Sequence, residues 1–332
     1  MSIRSLLLAP VFLAQVAALA VLACAAPALA ANAGFTVVQA PDPLGPPITV
    51  AIWYPTDAPA APMDLGIGAQ TVARGAPLVG DHLPLIVMSH GNGGFFGGHA
   101  DTAQALAEAG FVVAALTHTG DNYQDQSRAT DMANRPRQLS VLIDYMLTAS
   151  AMKAAIDPAR VGAFGFSSGG FTVLTAAGAE PDLRKIAPHC LAHPAFYDCK
   201  LLAEHPQTDE ALKSVWVHDA RIKAVVSAAP ALGYALDVSR VTAPVQLWRA
   251  AEDQVLPDPF YASTVRAHLP KAPDYHVVAG AGHFDFLTPC NAQGMATAGF
   301  ICASAPGFDR AAFHADFDKA VVGFFKTNLV SH

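Results

Sequence analysis

The pentapeptide Gly165-Phe166-Ser167-Ser168-Gly169 constrains this chain more than any other stretch. Glycines two positions before and after a serine mark a tight, strained turn between a strand and a helix, where larger side chains would collide. The flanks fit that context: Val161-Gly162-Ala163-Phe164 reads as strand and Phe171-Thr172-Val173-Leu174 as helix. A hydroxyl on such a turn projects at a helix N-terminus, where amide N–H groups and the dipole favour developing negative charge. Ser167 is therefore the candidate nucleophile. Ser168 is a poorer one, because Phe166 would stand where the first glycine is needed.

Hydrophobic periodicity predicts what surrounds this turn. Strands are expected at 35–39, 48–54, 85–88, 111–116, 160–164, 222–228, 245–249 and 275–278. Helices are expected at 101–109, 137–149, 169–177, 259–268 and 310–325, the first stopped by Gly110. Residues 55–83, rich in Pro, Gly and Ala, read as loop. The alternation of strand and helix predicts a mostly parallel central sheet with helices on both faces, the α/β class. Residues 180–220 break the rhythm. They read as an insertion over the top of the sheet, a lid or pocket wall carrying the apolar residues Leu191, Phe196 and Tyr197, and not as a second domain.

A serine hydroxyl is a weak nucleophile until a base takes its proton. Ala279-Gly280-Ala281-Gly282-His283 places His283 in a glycine-rich loop just past the last expected strand. A carboxylate must orient the base and stabilise the imidazolium. Asp253 follows the strand ending near Arg249, with Glu252 in reserve; Asp285 reads as a local loop carboxylate. Donors for an oxyanion are expected at the backbone N–H of Ser168 and in the turn after 85–88, at Asn92 or Gly93, with Asn92 preferred. His90 reads as a structural residue holding that turn.

An apolar share of 52% against 14% charged is globular, and a net charge of −7 without a basic run excludes a nucleic-acid binder. Residues 1–30 read as a secretory signal: Arg4, an uncharged apolar run, then Ala28-Leu29-Ala30 before cleavage. An uncut membrane span, or lipidation at Cys24 after Val21-Leu22-Ala23, are the rival readings; otherwise no stable membrane contact is expected. The hydrolytic domain is expected at 31–332, exported to the periplasm or secreted. In that compartment Cys190, Cys199, Cys290 and Cys302 should form disulfides, and short spacing favours Cys190–Cys199 and Cys290–Cys302 among the three possible pairings. His189 and His193 with Cys190 and Cys199 also make a conceivable zinc set, less favoured than a disulfide.

The pieces Ser89-His90-Gly91-Asn92-Gly93-Gly94, Asp157-Pro158-Ala159-Arg160-Val161-Gly162, Gly165 to Gly170, Asp253 and Gly282-His283 together resemble the dienelactone-hydrolase-related group of α/β-hydrolases, near the platelet-activating-factor acetylhydrolases. The Ser-Gly-Gly elbow is also similar to that of secreted cutinase-like esterases, although Asn92 stands where those often carry an aromatic residue. The resemblance implies the α/β-hydrolase fold and cleavage of a small-molecule ester without cofactor or metal. A cysteine nucleophile, as in true dienelactone hydrolases, is replaced here by Ser167. Amide cleavage on the same three residues, or a non-catalytic binding role, are the alternatives.

Overall fold

The apolar runs assemble into one sheet because each can bury both of its faces. A computed structural model describes residues 32–207, 213 and 215–330. The signal sequence expected at 1–30, with Cys24 in it, lies outside the described residues. The strands are β1 (Asn32–Ala40), β2 (Ile48–Thr56), β3 (Ala61–Asp64), β4 (Ala69–Arg74), β5 (Leu83–Ser89), β6 (Val112–Thr117), β7 (Ile156–Phe166), β8 (Glu180–Pro181), β9 (Ile222–Ala228), β10 (Leu236–Asp237), β11 (Val245–Ala250) and β12 (Asp274–Val278). Ten of them form the main sheet in the order β12-β11-β9-β7-β5-β6-β2-β1-β4-β3, while β8 and β10 pair separately. From β6 to β12 every neighbouring pair in this sheet is parallel. β2 joins β6 and β1 in antiparallel fashion.

The helices are α1 (Ala100–Glu108), α2 (Asn134–Thr148), α3 (Ser168–Ala176), α4 (Ile186–Ala192), α5 (Tyr197–Glu204), α6 (Ala262–His268), α7 (Ala292–Thr297), α8 (Gly299–Cys302) and α9 (Arg310–Leu329). The period-two alternation of each strand sorts its side chains into two cores. Leu85 and Val87 pack with Leu139 and Leu142 of α2 and Phe171 of α3. Ile86 and Met88 pack with Leu106 of α1 and with Phe317 and Val321 of α9. Full burial of each such side chain contributes about 1.5–3 kcal/mol. The mostly parallel sheet with helices on both faces is the α/β-hydrolase arrangement.

Three expectations need correction. Residues 55–83 are not all loop, since β3 and β4 form a hairpin on the sheet edge. Their composition hid them because an edge strand buries little: only Gln70, Val72 and Ala73 of β4 are enclosed, and Pro62 is tolerated on the outermost strand. Trp53 Nε1 donates to Gln70 Oε1 at 2.6 Å, fixing β4 to the interior. Helix α2 starts at Asn134, three residues earlier than expected, with Pro136 in its first turn where a missing N–H costs nothing. Helix α6 begins at Ala262 instead of 259.

Disulfides join Cys190 to Cys199 and Cys290 to Cys302, the pairing that spacing favours. Both sulfurs of the conceivable zinc set are thereby bonded to each other. Among its described residues the stretch 180–220 contributes β8, α4 and α5 and no strand of the main sheet. No helix among the described residues is long and apolar enough to cross a membrane.

Candidate active site

Strand β7 ends at Phe166 and α3 begins at Ser168, which leaves Ser167 alone at the turn with φ 56° and ψ −119°. That conformation is strained for a residue with a side chain. Its backbone is tied on both sides: Ser167 N donates to Ala228 O at 2.9 Å, and its carbonyl accepts from Phe171 N and Ala231 N. The glycines are required by contact. A Cβ on Gly165 would run into the Gly169 carbonyl, and one on Gly169 into the Ser89 carbonyl. Gly169→Ala is therefore expected to lower stability by roughly 2–4 kcal/mol, because backbone and not a movable side chain blocks the methyl. A urea midpoint equal to wild type would contradict this account of the turn.

The loops after β11 and β12 bring the other two groups to the same rim. Ser167 Oγ lies 3.1 Å from His283 Nε2, and His283 Nδ1 lies 2.8 Å from Asp253 Oδ2. All three are buried, with Ser167 9% exposed, Asp253 8% and His283 1%. A carboxylate only accepts, so Nδ1 carries the ring hydrogen and the Nε2 lone pair faces the hydroxyl. Asp253 is aimed by its own loop: Oδ1 accepts from Val255 N and Leu256 N, which leaves Oδ2 for the imidazole. Glu252, the reserve, is exposed; its N–H donates to Ala281 O and ties the two loops together. Asp285 serves the loop, accepting from Gly282 N, Ser304 Oγ and Arg310 Nε, while His314 Nε2 donates to its carbonyl.

The turn after β5 passes directly over the serine, since a Cβ on Gly91 would touch Ser167 Cβ at 3.2 Å. Of the two candidate donors in it, Gly93 N is engaged by Asp121 Oδ1 at 2.9 Å. Ser168 N sits in the first turn of α3, where N–H groups lack intrahelical acceptors. His90 holds the turn. Its Nδ1 donates to Gly91 O at 2.6 Å and its Nε2 accepts from His118 N at 2.9 Å. Burial, then the nearby Arg135 charge, pushes the His90 pKa down to about 3, so it is neutral and structural.

Sequence reasoning missed the support beneath this turn. Asp121 Oδ1 also accepts from Asn92 Nδ2 at 2.8 Å. Its other oxygen pairs with the buried Arg135, which donates in turn to the His90 carbonyl. One signal was available: Arg135 lies four and seven residues before Leu139 and Leu142, on the buried stripe of α2. A lone charge on an apolar stripe needs a buried partner.

Beside Ser167 opens a cavity of about 470 Å³, counting its mouth. Met132, Ile186, Leu201, Leu232 and Leu256 make its walls mostly apolar.

Residues 86–194 match a family model described as PET hydrolase-like. Over 105 residues the chain is 36% identical to cutinase est2 of Thermobifida alba, covering 31% of this chain and 33% of that protein. Over 100 residues it is 34% identical to cutinase 2 of Thermobifida cellulosilytica, covering 29% of this chain and 36% of that protein. The chain thus matches about a third of the length of these curated relatives. The family match takes in the turn at Asn92 and the elbow at Ser167 and stops short of Asp253 and His283.

Proposed function

We propose that this α/β-hydrolase-fold chain is a serine esterase that cleaves carboxylic esters through an acyl-enzyme. The observation that carries the reading is the continuous hydrogen-bonded chain from Ser167 through His283 to Asp253, at 3.1 and 2.8 Å. Ser167 Oγ attacks the ester carbonyl carbon while His283 Nε2 takes its proton, and Asp253 stabilises the resulting imidazolium. The backbone N–H groups of Ser168 and Asn92 face the developing oxyanion. The ester C–O bond breaks, and the alcohol leaves with the proton from His283. Water, deprotonated by His283, then attacks the acyl-Ser167 and releases the acid.

Partial identity to cutinases supports ester chemistry over amide chemistry. The finer kinship with dienelactone-hydrolase-related enzymes rests on the motifs at 89–94, 157–162 and 165–170. Two disulfides support export to an oxidising compartment, periplasmic or secreted, with residues 1–30 removed and 31–332 acting as the hydrolase domain.

The test is a matched pair of soluble substrates, a short-chain nitrophenyl ester and the corresponding nitroanilide. Ester turnover without comparable anilide turnover is the expected result. Preferred anilide cleavage would make the chain an amidase, and no turnover of either would leave a binding protein. Asp253→Asn is expected to lower kcat by about 10²–10⁴-fold, since an amide no longer fixes the tautomer. Glu252→Gln should stay near wild type; the reverse pattern would reassign the acid.

A further inference from the structure

We infer that residues 186–204 are a fastened roof over Ser167, which restricts the site to esters carrying one compact, uncharged apolar group of bounded length. The inference rests on the esterase reading and names the substrate class of the same site. A lid that opens would set no such bound, so the fastenings decide the matter.

The roof, made of α4 and α5, is braced by one disulfide and held to the body at three residues. The Cys190–Cys199 disulfide joins its two helices. Asp198, 7% exposed, accepts from Tyr234 OH at 2.9 Å and from Tyr261 OH at 3.0 Å, which anchors α5 to two separate segments of the hydrolase body. Burial and the Asp198 charge push both phenol pKa values far up, so both remain donors at any working pH. His189 of α4 stacks on the Tyr234 ring at 3.7 Å. Tyr197 OH donates to Asn92 Oδ1 at 2.6 Å, so the roof is bonded to the very residue whose N–H faces the oxyanion.

Ile186, Leu201 and Leu202 of the roof face Met132, Leu232 and Leu256 of the body across the cavity. The space in it open to a water-sized sphere is about 40 Å³, small beside the ~300–1,000 Å³ usual for small-molecule sites. Asp198 also lines it, but both its oxygens are taken by protein donors. Its negative charge repels an anionic group. The cavity therefore accepts a neutral hydrocarbon group until the fixed roof is reached. A group that lengthens toward the roof presses on a segment held by hydrogen bonds to the body.

The test uses the full chain, two ester series and one roof variant. Nitrophenyl esters from acetate to palmitate vary the acyl group, and alkyl acetates from methyl to hexadecyl vary the alcohol. In one series, the one whose varied group enters the cavity, kcat/KM is expected to rise with length and then fall about tenfold or more per two added carbons. Leu201→Trp, which adds bulk to the roof, should move that ceiling shorter by about two carbons or more, and Leu202→Phe does so if the first variant does not fold. A hemisuccinate ester should be turned over about 100-fold more slowly than the butyrate of similar length. No ceiling in either series, or a ceiling that neither variant moves, overturns the proposal. Fluorophosphonate labelling run in parallel separates the two readings. A chain that labels and hydrolyses acetate but shows no ceiling loses only the roof, whereas one that neither labels nor hydrolyses loses the esterase and the roof with it.

Discussion

Replacing His283 by alanine is expected to lower kcat on a soluble ester by about 10⁴-fold or more while the chain stays folded. The size follows from position. The imidazole is 1% exposed and touches both partners, so no water takes its place as base without rebuilding the site. Its ring also packs 4.8 Å from Phe166, which fixes its plane against the end of β7. Asp253 keeps the two N–H bonds from Val255 and Leu256 in the variant, so its carboxylate is not stranded and the loop survives. Steady-state turnover with far-ultraviolet circular dichroism checks both halves. Activity within tenfold of wild type would remove His283 from the mechanism.

The second large effect is expected at Arg135, far from the reacting atoms in sequence and beneath them in space. Arg135→Met should lower stability by about 3–5 kcal/mol, because it strips a buried carboxylate of its cationic partner. Arg135 is 1% exposed and pairs with Asp121, and it also donates to Thr172 Oγ1 at 3.1 Å and to the His90 carbonyl. Burial lowers its own pKa and the Asp121 charge opposes that, so the pair is maintained by mutual need. The double variant Arg135→Met with Asp121→Leu should regain part of the lost stability, since no lone charge remains. It should not regain activity, because Asp121 also holds Gly93 N and the Asn92 side chain in the turn over Ser167. Urea midpoints and kcat measured on the three variants give the cycle. Additive stability losses would show that the two side chains are not coupled.

How far each feature could be read from the residues depends on how local its cause is. β9 runs from Ile222 to Ala228 as expected, because its mostly apolar residues, all buried except Lys223, need no distant partner to be recognised. Ser167 was legible for the same reason, since the elbow is a steric requirement carried within five residues. Asp253 and His283 were legible from chain order and strand ends, yet their meeting with Ser167 spans 116 residues and only the sheet's parallel order brings them together. The sequence favours Asn92 over Gly93, but the hold of Asp121 on the Gly93 N–H, across 28 residues, was not legible. Asp198 is a similar case: its two tyrosine donors lie 36 and 63 residues away, and nothing near it hints at burial. β3 and β4 were missed for the opposite reason, since edge strands leave most of their side chains in water and show no apolar alternation.

The most direct test is covalent. Full-length protein treated with a fluorophosphonate probe and digested for mass spectrometry should carry one adduct, on Ser167. The adduct should be absent from Ser167→Ala and formed far more slowly in His283→Ala. An unlabelled wild type, or an adduct on Ser168 that persists in Ser167→Ala, would contradict the account.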